Sequence, residues 1–65
     1  MKKLEKLKEL INKKIERFQR YQKQDKSDLS TITDESTREL YEEMISRRSA
    51  RIQELEFVLD MIEDL

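Results

Sequence analysis

Cysteine, histidine, glycine and proline are all missing from this chain of 65 residues, and each absence closes a route. Without Cys there is no disulfide, and without Cys or His the usual zinc ligand sets and thiol or imidazole catalysis fall away. Without Gly there is no phosphate-cradling loop and no ordinary left-handed helix C-cap. With Gly and Pro both gone, the strongest punctuators of turns are gone too. Long apolar runs are also lacking: the longest, Phe57 to Leu59, is far shorter than a signal-peptide core or a membrane span. A cytoplasmic chain with no cofactor, no metal, no membrane contact and no small-molecule substrate is expected.

What remains is dominated by charge. Charged residues make up 45% of the chain, chiefly Lys and Glu, which are good helix formers. Such a composition can also keep a chain disordered, but here the apolar residues recur regularly. Leu4, Leu7, Leu10, Ile11, Ile15, Phe18 and Tyr21 draw one stripe on a helix from about residue 2 to 25. Tyr41, Ile45, Ile52, Leu55, Leu59 and Ile62 follow heptad steps on a helix of about residues 34–64, with Arg48 filling the missing step. Met44, Val58 and Leu65 widen that seam to the face of a bundle helix.

Between them, about residues 26–33 form a linker whose Ser, Thr and Asp side chains compete with helical backbone bonds. Thr33 is the expected N-cap of the second helix, with Ser36 and Glu39 a rival capping box. The end of the first helix should fray across Gln24 to Ser27 for want of glycine. Leu29 and Ile32 should fold back over Phe18, Tyr21 and Leu40. A linker this short implies a single all-α domain over residues 1–65, an antiparallel two-helix hairpin of coiled-coil type. Charge supports the pairing: residues 1–26 hold ten Lys/Arg against four acids, and residues 27–65 hold four Arg against eleven acids. A basic helix beside an acidic one attracts its neighbour and discourages pairing with its own copy.

A turn centred near Leu29 and Ser30 sets Phe18 opposite Tyr41, Ile15 opposite Met44 and Ile45, Leu7 opposite Ile52, Leu4 opposite Leu55 and Met1 opposite Val58. About seven residues, roughly 10 Å of helix, would then project with Leu59, Ile62 and Leu65 uncovered. A skewed turn that slides the second helix back would remove this overhang. The reading adopted is a second chain: two hairpins dimerising into a four-helix bundle. The expected self-association or partner interface is Met44, Arg48, Val58, Leu59, Ile62 and Leu65.

No enzyme is expected, because carboxylate pairs such as Glu39 with Glu43 fit a solvated helix face. The function expected is that of a small interaction module, a regulator, inhibitor or assembly factor working by helix–helix contact with a protein partner. Its Lys-, Ile- and Glu-rich composition suits bacteria and phages. The alternative uses the basic face of the first helix, with Lys6, Lys13, Arg17 and Arg20 contacting phosphates. In architecture such a protein resembles the Rop-like RNA-binding hairpins. Glu9–Lys13 and Glu16–Arg20, well-oriented pairs one helical turn apart, argue against it. Arg48 and Lys14 are placed on seam positions, with their stems packed and their charges turned outward. Glu43 and Glu54 are expected to hold Arg47 and Arg51.

Overall fold

The computed structural model describes residues 2–65 as two helices, α1 (Lys2–Leu29) and α2 (Glu35–Glu63), packed side by side along an extent of 50 × 15 × 11 Å. Among the described residues there is no strand, and no helix is long and apolar enough to cross a membrane. The expected placing of Met1 lies outside the described residues.

The residues shielded from solvent follow alternating steps of four and three on both helices. On α1 these are Leu4, Lys8, Ile11, Ile15, Phe18, Gln22, Asp25 and Leu29; on α2 they are Arg38, Tyr41, Ile45, Arg48, Ile52, Leu55, Leu59 and Ile62, with Asp28, Thr37 and Ser49 half-buried beside them. This is a heptad seam between antiparallel helices. Ile11, Ile15, Ile52 and Ile62 are its buried centre, and Leu4, Phe18, Leu55 and Leu59 pack around them. Burying one such side chain contributes about 1.5–3 kcal/mol, and no side chain here is sealed on every side. The core is small, as a chain of this length dictates.

α1 runs four residues beyond the expected Asp25, and the linker shrinks to residues 30–34. Its end does not fray. The Ser30 hydroxyl donates to Ser27 O at 2.6 Å and the Thr31 hydroxyl to Asp28 O at 2.8 Å. The Thr31 and Ile32 amides donate to Asp28 O and Leu29 O. Arg38 Nη1, from the first turns of α2, donates to both Leu29 O and Ile32 O at 3.0 Å. Helix-terminal carbonyls need partners of any kind, so hydroxyls and a guanidinium replace the missing glycine. Among the described residues no backbone takes a positive φ.

The N-cap of α2 is Asp34, one residue after the expected Thr33 and two before the rival Ser36. Its carboxylate accepts from the Thr37 amide at 2.9 Å and from the Thr37 hydroxyl at 2.7 Å. Asp satisfies an orphan donor and also places negative charge at the positive end of the helix, which the Thr hydroxyl cannot do. The Thr37 hydroxyl, and then the Thr37 amide, hold the Asp34 carboxyl below its usual range.

These shifts overturn the expected register. Gln22 donates to Ile45 O at 3.1 Å and to the Ser49 hydroxyl, and Arg48 pairs with Asp25. Ile45 therefore lies level with Gln22, not Ile15, a displacement of about two helical turns. The turn lies later in the chain, so α2 slides back along α1 and its end is covered. Ile62 is 9% exposed within the hairpin and Leu59 packs against the core. The overhang of Leu59 and Ile62 is absent.

Candidate interaction face

In an antiparallel pair, a pseudo-two-fold axis runs normal to the plane of the two helices. Equivalent flanks of the two seams therefore lie on the same side of the hairpin. One flank carries Leu7, Leu10, Lys14, Arg17, Tyr21, Gln24 and Asp28 on α1, and Thr37, Leu40, Met44, Arg47, Arg51, Glu54, Val58 and Met61 on α2. The other carries Glu5, Glu9, Asn12, Glu16, Gln19, Lys23 and Lys26, facing Glu39, Glu42, Ser46, Ser49, Gln53, Glu56, Asp60 and Glu63, with no apolar residue among them. Among the described residues, the only large exposed apolar side chains outside the first flank are Phe57, on the outer surface, and Leu65, at the chain end. The hairpin is two-sided: one face is polar and rich in carboxylates, and the other is apolar with a basic middle.

The apolar exposure on this face is considerable. Leu40 is 61% exposed, Leu10 57%, Met61 54% and Val58 42%. Scattered exposed apolar residues are ordinary, but seven on one face, with Phe57 and Leu65 the only others among the described residues, mark an interaction surface. Near midspan the face dips into a shallow cavity of about 380 Å³ lined by Phe18, Met44, Arg47, Arg48 and Arg51. Phe18 and Met44 supply apolar surface there, and the arginines supply charge. Lys14 Nζ lies 5.9 Å from the Phe18 ring centroid. Arg47 is held by Glu43 at 2.5 Å as expected, on the open surface, whereas no ion pair joins Arg51 to Glu54. Among the described residues Lys14 and Arg17 also form no ion pair.

Arg48 is a cross-helix tie. Its guanidinium bonds the Asp25 carboxylate, with both side chains largely shielded, and lies 5.3 Å from the Tyr21 ring centroid. The expectation that it snorkels outward, with Ile11 facing it, is corrected: Asp25 faces it because α1 extends past the stretch that periodicity marks as helical. Lys14 belongs to the flank, not the seam, since the seam steps from Ile11 to Ile15 to Phe18.

Of the expected interface, Met44 and Val58 both lie on the apolar face, on either side of its basic middle. Leu59 and Ile62 go to the hairpin core, and Arg48 to the cross-helix tie. Leu65 is exposed beside Leu4, Lys8 and Ile62 at the open end. Leu10, expected to be covered by a second hairpin, lies on this face too, and Leu7, Tyr21, Leu40 and Met61 join it although they were not assigned to an interface. The available signal was their step of three and four beside a second, parallel series, Ile11, Ile15 and Phe18. Lys6, Lys13 and Arg20 fall on one outward line of α1 at heptad spacing, with Arg17 turned toward the apolar face. Lys13 is paired with Glu9 at 3.1 Å. Among the described residues no acidic group is placed to hold a metal ion. Compared with known proteins, the chain matches no family model, no curated protein and no solved structure.

Proposed function

We propose that the hairpin is a non-enzymatic protein-interaction module, a small regulator, inhibitor or assembly factor whose business is helix–helix contact. The observation that carries this reading is the two-sidedness of the molecule: its exposed aliphatic residues gather on one flank while the other is wholly polar. A hairpin of this size has too little core to be indifferent to leaving that flank wet. Homodimerisation is one of the two forms this contact can take, the other being a helix of a different protein. A second hairpin laid on this face would complete a four-helix bundle and bury the flank of Leu10, Met44 and Val58; with no overhanging tail to cover, that flank is the motive that remains.

Introducing Met44→Glu with Val58→Glu tests the reading. Both positions are exposed, so circular dichroism should show helix retained while light scattering shows loss of association. An unchanged oligomeric mass, from a parent that does associate, would remove this face from the proposal.

The second reading is Rop-like nucleic-acid binding, favoured by the outward line of Lys6, Lys13 and Arg20 with Arg17 beside it. It requires affinity that falls steeply with salt and is abolished by Lys13→Glu with Arg17→Glu. Duplex DNA and single-stranded RNA titrated at several salt concentrations would decide it.

A further inference from the structure

The apolar face has a composition along its length that constrains its occupant. Leu7, Leu10, Val58 and Met61 lie toward the open end, and Tyr21, Leu40 and Met44 toward the turn. Between them lie Lys14, Arg17, Arg47 and Arg51, with Glu54 beside them on the face and Glu43, on the outer surface of α2, paired with Arg47. Resting on the reading of this face as a protein-interaction surface, we propose that it receives an acidic amphipathic helix of another protein. That helix is apolar at both ends of its contact stripe and carries carboxylates in the middle.

Three comparisons favour this occupant. A second copy docked symmetrically, with its two-fold axis through the middle of the face or along the hairpin, sets the basic band against itself. Like charges brought together are a specificity barrier, so a copy can dock well only by staggering and giving up part of the apolar contact. A nucleic acid neutralises the band but offers its phosphates nothing to do with the aliphatic residues on either side. An anionic bilayer suits helices whose cations rim an apolar face and reach up to the headgroups, whereas here the cations interrupt the face at its centre. A carboxylate-bearing helix satisfies both parts. Its central Asp or Glu can meet Arg51 in a bidentate pair and share the exposed Arg47 with Glu43, and an apolar or aromatic side chain can enter the cavity between Phe18 and Met44. The face is long enough: from Leu40 to Met61 it follows α2 for about 32 Å, which matches a helix of about five to six turns.

The experiment is a selection on the full chain from a displayed library of helices about five turns long. The apolar seam is held constant, and the flanking positions vary among Glu, Gln and Lys. Helices with Glu at the central flank should be enriched, and the purified winners should lose about tenfold or more in affinity on Arg47→Glu with Arg51→Glu. The same charge-reversed hairpin, its helix content checked by circular dichroism, should enrich Lys-centred helices instead. Enrichment regardless of charge, abolished by Val58→Glu, would overturn the acidic partner while leaving the protein-interaction reading standing. Failure to enrich any helix, with tight binding to single-stranded RNA or to phosphatidylserine vesicles, would overturn both. Failure to enrich any helix while the chain forms a tight dimer at low salt would assign the face to a second copy and overturn this proposal alone.

Discussion

At the scale of single residues, a cap and an ion pair illustrate how polar groups organise a molecule with little core. Asp34 caps α2 through the Thr37 hydroxyl and amide, which hold its carboxyl below the usual range. The folded chain therefore binds this proton less readily than the unfolded chain, so the cap contributes fully above the ordinary carboxylate range. Its contribution is lost as pH falls through the lowered value. Asp34→Ala should lower the melting temperature by a few degrees near neutral pH, while Asp34→Asn, also a good cap, should lose less. In acid titrations followed by circular dichroism, the gap between the parent and Asp34→Ala should be steady above about pH 5 and close below about pH 4. Asp25 and Arg48 form the other case, a largely shielded pair. Removing either alone strands a partly desolvated charge and should cost about 1–3 kcal/mol. Replacing both by Leu should cost less than the sum, and thermal melts arranged as a double-mutant cycle would measure the difference.

At the scale of the helices, the seam changes character along its length. Toward the open end it is aliphatic, with Ile11, Ile15, Ile52 and Ile62; toward the turn it carries Gln22 against Ser49 and Asp25 against Arg48. Apolar contacts tolerate a slide of one heptad, because one Ile stands as well opposite another. A directional hydrogen bond and an ion pair do not, so the polar half sets the alignment that the apolar half stabilises. Ile15→Ala and Ile52→Ala should each cost about 2–5 kcal/mol, enough to unfold much of so small a hairpin at room temperature. The Leu-for-both variant of Asp25 and Arg48 should instead keep its helix content and lose its single register. Distances between spin labels on α1 and α2 would then broaden or become bimodal.

At the scale of the molecule, the same kind of substitution should have opposite consequences on the two sides of the seam. Ile62 is buried in the hairpin while Val58, one turn away, is exposed. Leu59→Glu with Ile62→Glu should therefore melt the hairpin itself, and Met44→Glu with Val58→Glu should leave it folded. Sedimentation with circular dichroism on both pairs separates folding from association. Salt supplies a further contrast. Screening relieves repulsion between basic bands, so any homodimer should tighten as salt rises, whereas binding to an acidic helix should weaken.

The chain alone determined that the molecule is two helices laid antiparallel. Lys- and Glu-rich segments without Gly or Pro favour helix throughout, and Ile45, Ile52, Leu55, Leu59 and Ile62 keep heptad steps that only a seam explains. Arg48 was legible as a seam position for the same reason. The end of α1, the register and the identity of the exposed face were decided by tertiary structure. Residues 22–29 carry no large apolar side chain before Leu29, so periodicity falls silent where Gln22 and Asp25 continue the seam through polar contacts. That silence put the turn too early and left Ile62 uncovered on paper. Leu7, Leu10 and Tyr21 share one broad stripe with Ile11, Ile15 and Phe18, and a stripe does not say which edge faces the neighbour. Only the second helix, once docked, divides that stripe into a buried seam and an open flank.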